Sequence, residues 1–400
     1  MGKKRILYAV VGVAVMLFAG FVYAWSILSA PIAADFPAWS NAQLSLTFTI
    51  CMAFFCLGGM AAGILSRRIP VRFNVMISAA LFLVGFFLTS RMQSLPLLYV
   101  GYGVLCGTAS GFAYNSVMNV MPRWFPDRQG LISGVLLMGF GASSMIIGSA
   151  FTALTPSVSG AWRSSLLFMG VLMAVILLVG SFFFIPPKEG EAPVSPAKKA
   201  VGGEQGLDLT PGEMVRRPSF WCFFLWATLL SAAGLVIIAQ ARSVALTAVP
   251  DLNAGTLSFA VGLISVCNGL GRVIFGALLD KAGRKMTMFS VTCALVLGAV
   301  LLCLSLPAGS TVLLVAGFVF TGLGYGGGPT MTAAVTKQFY GQRSYPVNFS
   351  ITNTNLLVAS FASTAAGAIY DAMGSYTAVF LLLFVLLALS FAFLFAIRKP

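Results

Sequence analysis

The chain has 400 residues, and its 24 Lys and Arg and 10 Asp and Glu make only 8% of it charged, against roughly 25% in a soluble domain. Apolar residues make up 59%, and the mean hydropathy is +0.96. A chain this apolar cannot cover its surface with polar groups in water, which excludes an ordinary soluble enzyme and a disordered tail. The net charge of +14 forms no basic face, so we expect a lipid bilayer as the partner and no nucleic acid.

Residue types that the chain lacks exclude several chemistries. There is no histidine, so imidazole metal sites, His-based acid–base catalysis and His proton relays are excluded. The seven cysteines all lie in apolar runs without a CxxC pair, which is typical of small core residues rather than of zinc or disulfide sites. We therefore expect no cofactor, no metal and no enzymatic activity, because no nucleophile–base pair can be assembled.

Apolar runs long enough to cross a bilayer recur twelve times, since each crossing helix needs about 20 such residues. The pattern predicts an all-α integral membrane protein with twelve transmembrane helices in two pseudo-symmetric six-helix halves. The first run could also be a cleaved signal peptide, but it is far longer than a signal core of ~7–15 residues, so a retained helix is expected. The predicted spans are 6–30, 43–66, 72–90, 96–120, 131–154, 163–186, 219–242, 255–279, 286–306, 311–336, 347–370 and 375–397.

The Lys and Arg residues predict the orientation. Twenty of the 24 fall at the termini, in the loops after even-numbered spans or in the central linker, whereas the opposite side has Arg91, Arg163 and Arg242. Because basic loops stay in the cytoplasm, both termini are predicted to be cytoplasmic. Anionic headgroups of that leaflet would attract the same loops.

The one long polar stretch, 187–217, separates six spans from six and is typical of a flexible cytoplasmic linker. It predicts an N-terminal half over 1–186 and a C-terminal half over 218–400. The halves resemble each other internally, since Gly20 and Gly234, and likewise Phe125 and Phe339, stand 214 positions apart. Parallel repeats of this kind place a binding site between the halves near the bilayer midplane.

The segment after span 8 reads Gly276-x-Leu-x-Asp280-Lys281-x-Gly283-Arg284-Lys285. Through Gly276, Asp280, Gly283 and Arg284 it resembles the loop signature of the major facilitator superfamily. The copy after span 2 departs from that signature, with Arg67 at the position of Asp and Pro70 at that of Gly. The resemblance implies a gating element, in which glycine lets helix ends approach and a carboxylate is held by an arginine or a helix N-terminus.

Five further segments, spread over almost the whole chain, carry a closer resemblance. They are Gly20-Phe-Val-Tyr-Ala-Trp-Ser26, Trp124-Phe-Pro-Asp-Arg-Gln-Gly130, Gly139-Phe-Gly141, Asn268-Gly-Leu-Gly-Arg272 and Ile369-Tyr-Asp-Ala-Met-Gly-Ser-Tyr376. Together they resemble the oxalate/formate antiporter family, a bacterial relative of the monocarboxylate transporters. The resemblance implies small organic anions as substrates, a possible counter-anion or proton, a monomer and a bacterial inner membrane location.

Arg272 lies inside span 8, eight positions or about 12 Å of helix before Asp280. All ten acidic residues fall in loops or near span ends, so no intramembrane counter-ion is evident. A guanidinium in a polar cavity would bind a planar carboxylate with two hydrogen bonds. The alternative is a structural role, in which Arg272 reaches Asp280 or backbone carbonyls.

Further residues are candidates for the lining of the same site. Polar or aromatic side chains on spans 1, 4, 8, 10 and 11 could face a central cavity, although each could equally serve packing. The glycines and Pro329 around Tyr325 predict a bendable span 10 for gating, and Gly107 and Gly111 predict close packing of span 4. The candidate substrate-binding residues, besides Arg272, are Tyr23, Tyr114, Asn115, Asn268, Tyr325 and Asn355.

The charge of the candidate site favours a monoanion. The resemblance implies that oxalate-transporting members of the family bind their substrate with two cations, an arginine on span 8 and a lysine on span 11. Arg272 matches the arginine, but span 11 of this chain has no lysine. A second carboxylate would then have no positive partner in low dielectric.

The sequence thus predicts a secondary active or facilitative transporter of small organic anions, most of all monocarboxylates, that works by alternating access around Arg272. Without His or a mid-membrane carboxylate, anion exchange, facilitated diffusion or symport of a protonated substrate fit better than a dedicated proton relay. The alternatives are a carboxylate-binding membrane sensor on the same fold and a dicarboxylate, oxalate-like exchanger. Efflux of cationic drugs is disfavoured because no carboxylate lies inside the membrane.

Overall fold

A computed structural model describes residues 3–66, 68–125, 129–187, 191, 207–341 and 344–398. In these ranges the regular secondary structure is helical, and twelve helices are long and apolar enough to cross a membrane, which confirms the predicted fold class. The helices are α1 Lys4–Asp35, α2 Asn41–Leu65, α3 Val71–Ser90, α4 Leu95–Trp124, α5 Gly134–Leu154, α6 Trp162–Ser181, α7 Pro218–Ala248, α8 Ala254–Leu279, α9 Lys281–Ala308, α10 Thr311–Tyr340, α11 Val347–Met373 and α12 Tyr376–Ala396.

The predicted spans and the observed helices agree closely except at a few ends. The prediction ended span 7 at 242, next to Arg242, but α7 continues to Ala248. A helix can extend past the hydrocarbon core when its neighbours cover it, so a polar residue near its end does not mark the end. Helices α8 and α9 form one continuous run broken only at Gly283, whose φ of 75° is in the region that favours glycine.

Three helices from each half of the chain make the main contact between the halves. Helix α2 packs on α11, α5 packs on α8, and α1 contacts α7. In two six-helix repeats α2 corresponds to α8 and α5 corresponds to α11, so the repeat relation converts the pair α2–α11 into the pair α8–α5. This pairing is what two parallel repeats would produce, and the division at 187–217 stays a prediction.

The described end of the predicted linker is ordered and hydrogen-bonded, unlike the flexible segment that its composition indicated. The Leu209 N–H donates to the Tyr340 carbonyl over 3.1 Å, and Asn348 Nδ2 donates to the Leu209 carbonyl over 3.0 Å. A short helix, Pro211–Val215, follows, with a capping box between Thr210 and Glu213. Most of the remaining linker lies outside the described residues, as do Arg67, Asp127, Arg128 and Arg343.

Glycines in α10 allow close packing between helices. A Cβ on Gly326 would collide with the Asn268 carbonyl of α8, and one on Gly322 with the Ile264 carbonyl. Helix α10 is continuous through Pro329, so its glycines act here as contact points, and bending during gating stays a prediction. Gly107 and Gly111 of α4 lie against the backbone of α2 in the same way.

The Gly326→Ala variant should be less stable by about 1–3 kcal/mol, because the added methyl forces α8 and α10 apart. Gly134→Ala is the matched control, since its Cβ would meet its nearest neighbour, Val273, at an ordinary 3.7 Å. Thermal unfolding in detergent compares the two variants. Equal melting temperatures would show that α8 and α10 are not in tight contact at Gly326.

Candidate functional site

A break in α1 brings a tyrosine to the centre of the bundle. Residues Gly20–Ala24 form a 3₁₀ turn inside α1. Hydroxyls from neighbouring helices accompany the break, since Ser110 donates to the Ala19 carbonyl and Ser143 to the Gly20 carbonyl. Tyr23 lies in this turn and is 4% exposed, so its side chain points into the protein.

Arg272 is buried on α8, with 4% of its surface exposed. Its Nε donates to Asn268 Oδ1, one turn earlier, over 3.4 Å, and its Nη1 donates to the Leu137 carbonyl of α5 over 3.2 Å. Its Cζ lies 5.9 Å from the ring centre of Phe140, within cation–π range. No carboxylate among the described residues pairs with this guanidinium, so its protein partners are uncharged.

Five aromatic side chains form a connected group that meets this arginine at Phe140, and we call them the central aromatic cluster. The Tyr23 and Tyr325 hydroxyls are 3.2 Å apart, which joins α1 to α10 by a hydrogen bond. Gly234 of α7 lies against the Tyr325 ring, where a Cβ would collide with it. Ring centres of successive members lie 5.2–5.9 Å apart. The cluster consists of Tyr23, Phe55, Tyr114, Phe140 and Tyr325.

A cavity of 330 Å³ opens on the predicted cytoplasmic side of this cluster. Tyr114, Asn115 and Leu137 line it, and a 30 Å³ annex between α2, α4 and α11 shares Tyr114 and Asn115. Arg272 is bonded to the Leu137 carbonyl and therefore adjoins the cavity wall without being part of its lining. The walls otherwise combine apolar side chains with a few polar ones: Met60, Gly63, Ile64, Ser66, Met118, Asn119, Arg123, Pro329, Ala333, Val347, Phe349, Ser350 and Ile351.

The opposite end of the bundle is closed by polar contacts between α2, α7, α11 and α12. Gln240 Nε2 donates to Ser45 Oγ over 2.8 Å, and the Tyr376 hydroxyl donates to Gln240 Oε1 over 3.1 Å. One turn further in, Thr49 Oγ1 donates to the Ser360 carbonyl over 2.7 Å. With the orientation that the basic residues predict, the cavity faces the cytoplasm and the outer side is sealed.

Asp371, at the end of α11, caps the N-terminus of α2 across this seal. Its Oδ2 accepts from the Ala42 N–H over 2.9 Å, and its Oδ1 accepts from Asn41 Nδ2 over 3.1 Å and from the Asn41 N–H over 3.3 Å. A carboxylate at a helix N-terminus also interacts favourably with the helix dipole. The outer ends of α2 and α11 are thereby held together by a charge-assisted contact.

The structure brings most of the predicted binding residues together. Arg272, Asn268, Tyr23 and Tyr325 form one contact group, and Tyr114 and Asn115 line the cavity beside it. Asn355 is different, since it is 2% exposed, lines neither cavity, and its Oδ1 has no hydrogen-bond partner in the described chain. That these residues bind a substrate stays a prediction.

The predicted gating motif adopts a different local arrangement from the one expected. We expected its glycines to permit a close helix approach, but a Cβ on Gly283 would meet no atom of the described residues within 4 Å, and one on Gly276 would meet Thr330 at 3.7 Å. Gly283 instead supplies the positive φ of the α8–α9 turn. Arg284 lies over the Phe339 ring at 4.8 Å, and the Asp280 side chain lies outside the described part of the structure.

Sequence reasoning did not name Phe140 or Leu137, which contact Arg272 from α5. The signal for Phe140 was present in Gly139-Phe-Gly141, because glycines on both sides of an aromatic residue let another helix approach. A Cβ on Gly141 would lie 2.9 Å from the Gly269 nitrogen of α8. Nothing in the sequence indicates the contact with Leu137, because Leu137 contributes its backbone carbonyl, which every residue has.

Twelve membrane-spanning helices, paired between two sets of six around a cavity that opens at one end, define a multi-pass membrane transporter fold. The chain belongs to the Major Facilitator Superfamily, whose family model matches residues 10–354 and 232–400.

The chain is similar to several known transporters in sequence. It is 27% identical over 343 residues to the uncharacterized MFS-type transporter YhjX of Escherichia coli, covering 85% of this chain and 82% of that protein. It is 30% identical to the oxalate:formate antiporter of Oxalobacter formigenes, over 71% of this chain and 66% of that one. It is 25% identical to monocarboxylate transporter 12 of Mus musculus, over 83% and 72%.

Solved structures support the same fold. A bacterial homologue of the human lysosomal transporter Spinster, in an inward-facing and unoccupied conformation, gives a TM-score of 0.74 at 14% identity over 99% of this chain and 97% of that one. The fucose:proton symporter of E. coli gives 0.65 at 17% identity over 100% of both chains. At these identities the likeness concerns the fold alone.

The Asp371→Asn variant should weaken the closed outer end by about 1–3 kcal/mol, because the amide loses the charge and turns one acceptor into a donor facing an N–H. That change shifts the population of outward-open molecules by roughly 5- to 150-fold. Double electron–electron resonance between spin labels at the exposed positions Ala38 and Met373 should then show a longer distance between the labels. Asp251→Asn is the control, because Asp251 is exposed on the same predicted side and has no such bond to a described residue. An unchanged distance in Asp371→Asn would show that the Asp371 contact with the N-terminus of α2 does not hold this end closed.

Proposed function

We propose that this protein is a secondary active or facilitative transporter of small organic anions, most of all monocarboxylates, and that Arg272 binds their carboxylate. The observation that carries this proposal is a buried guanidinium without a carboxylate partner in the described chain, next to a cavity. Membership of a transporter superfamily and similarity to an oxalate:formate antiporter and to monocarboxylate transporters support the same class.

The cost of burying Arg272 is the physical basis of the proposal. An arginine at the centre of a membrane costs roughly 3 kcal/mol or more, depending on the scale. A neutral amide, one backbone carbonyl and the Phe140 ring offset only part of that cost. A carboxylate arriving through the cavity would supply the missing negative charge, so the site favours anion binding.

The position of the cavity determines which contacts of Arg272 an entering anion would replace. An anion at the inner end of the cavity lies beside Tyr114 and Leu137, where Arg272 Nη1 would exchange the Leu137 carbonyl for a carboxylate oxygen. The Tyr23 hydroxyl lies in the same contact group and could donate to the second oxygen. The aromatic rings around the site suit a substrate with a small apolar body, because they offer little to a second charged group.

The site has a single cation, which favours a monoanion over a dianion. The α11 helix offers Asn355 and no lysine, so the second carboxylate of an oxalate-like substrate would be buried unpaired. The oxalate:formate antiporter and the fucose:proton symporter show, by their names, that exchange and proton symport both occur among similar proteins. For this chain we favour anion exchange, facilitated diffusion or symport of the protonated acid.

Location and orientation belong to the same proposal. We place the protein in the inner membrane of a bacterium with both termini in the cytoplasm, because twenty of the 24 basic residues would then lie on the cytoplasmic side. In that orientation the 330 Å³ cavity is the cytoplasmic route and the Asp371 contact closes the periplasmic route.

The Arg272→Ala variant should lower counterflow of radiolabelled acetate, formate, lactate and benzoate in proteoliposomes by about 30-fold or more, since losing one partner of a buried charge pair costs ~2–5 kcal/mol. Arg272→Lys keeps the charge but loses the bidentate geometry, so it should retain a fraction of the activity. Arg91→Ala, which removes an exposed outer arginine, is the matched control.

Thermal unfolding separates binding from a structural role for Arg272. A ligand that binds the folded protein raises its melting temperature. Arg272→Ala should lose the increase caused by these monocarboxylates while keeping the melting temperature of the anion-free protein. Retained counterflow would contradict the proposal, and binding without counterflow would indicate a sensor.

The Asn353→Lys variant should gain affinity for a dianion, because Asn353 of α11 lines the 30 Å³ annex beside Tyr114 and a lysine there adds a second cation. Oxalate should then inhibit formate counterflow at a concentration about tenfold lower, which corresponds to ~1.4 kcal/mol. Asn353→Met, of similar length and without charge, is the control. Parallel changes for oxalate and formate in both variants would contradict the single-cation explanation of monoanion preference.

A further inference from the structure

A second arginine lines the cavity closer to its cytoplasmic end. Arg123 lies at the end of α4, eight residues after Asn115, which places it roughly 12 Å further along the helix. Its side chain is exposed, and it contributes to the wall of the same 330 Å³ cavity. An anion that leaves the Arg272 region through this cavity therefore passes Arg123.

Neighbouring residues hold Arg123 towards the cavity. Its Nη2 donates to Asn119 Oδ1 over 2.6 Å, and Asn119 Nδ2 donates to Ser66 Oγ of α2 over 3.4 Å. The next residue, Trp124, is buried, donates from Nε1 to the Ile185 carbonyl over 2.9 Å, and stacks on Tyr8 with ring centres 4.2 Å apart. The backbone beside Arg123 is thus anchored.

The guanidinium of Arg123 has unused capacity for an anion. It carries five N–H donors, and in the described chain its hydrogen-bond partner is Asn119 alone. No carboxylate of the described residues pairs with it. Other arginines on this side differ, since Arg72 lies 5.1 Å from the Phe73 ring and does not line the cavity.

The surroundings strengthen the effect of this charge. Apolar side chains such as Met60, Ile64 and Met118 form much of the cavity wall around it. A charge in a cleft with low-dielectric walls focuses its field along the cleft and raises the local concentration of counter-ions.

We propose that Arg123, oriented by Asn119, forms a second anion-binding station, at which a small carboxylate docks between the Arg272 site and the cytoplasm. This inference rests on the proposed function for its direction of traffic. The station captures anions arriving from the cytoplasm and receives those released from Arg272, so it lowers the half-saturating concentration on the cytoplasmic side and leaves the outer side unaffected.

Labelling with phenylglyoxal, a reagent for arginine, tests the station without requiring transport. Benzoate should slow the modification of Arg123 in the purified full-length protein about threefold or more, since a carboxylate shields the guanidinium with two hydrogen bonds. Benzamide, which has the same shape without the charge, should have no effect. Arg72 is the internal control in the same mass-spectrometric measurement, and equal slowing at both arginines would overturn the proposal.

The Arg272→Gln background separates the station from the central site. Protection of Arg123 by benzoate should persist there, even though transport is lost. If protection disappears with Arg272, the two arginines belong to one site and the second station is refuted. If the unaltered protein transports none of the monocarboxylates but Arg123 is still protected, the proposed function fails and the station stands.

Transport kinetics test the sidedness of the station. Arg123→Gln should raise the half-saturating acetate concentration about threefold to tenfold in inside-out vesicles, because a charge that steers anions into the cytoplasmic opening is lost. In right-side-out vesicles the half-saturating concentration should stay unchanged. Arg123→Lys should restore most of the difference, and Arg72→Gln should behave as the unaltered protein. Equal changes on both sides, or none on the cytoplasmic side, would contradict the proposal.

Discussion

The positive charge of Arg272, buried without a carboxylate among the described residues, is the constraint on which the central arrangement depends. In a low-dielectric interior such a charge is tolerated only with compensating dipoles. The chain supplies an amide from α8, a backbone carbonyl from α5 and the face of Phe140. These partners lie on two different halves of the predicted repeat, so the arginine joins the halves while its charge stays available.

Glycine makes this arrangement geometrically possible. Helices α5, α8 and α10 approach so closely that a methyl group on Gly141 or Gly326 would meet backbone atoms of α8. Gly234 gives the Tyr325 ring its space, and Tyr325 then reaches the Tyr23 hydroxyl. The tyrosine pair therefore depends on a small residue, Gly234, on a helix that carries none of the site's polar groups named above.

The two ends of the bundle are built from different interactions. The end that the basic residues predict to be the outer one is closed by hydrogen bonds and by the Asp371 carboxylate on the N-terminus of α2, which are directional contacts. The predicted cytoplasmic end is a cavity between α2, α4, α5, α10 and α11, with Arg123 in its wall. The alternating access proposed above needs closure that can be reversed, and a few polar bonds between helices meet that need better than a large apolar interface would.

The sequence by itself determined the features that depend on local composition: twelve apolar spans of bilayer length, the sorting of basic residues to one side, and an arginine among apolar residues of α8. These follow from the cost of placing polar groups in hydrocarbon, which each segment bears on its own. Only the tertiary structure decided which groups meet Arg272, because the Leu137 carbonyl has no side-chain signature and Phe140 acts through its position. It also decided that Gly283 makes a turn, that Asn355 lies away from the cavity, and that Arg123 lines it. Such contacts depend on how helices distant in sequence rotate and pack, and no single span encodes that.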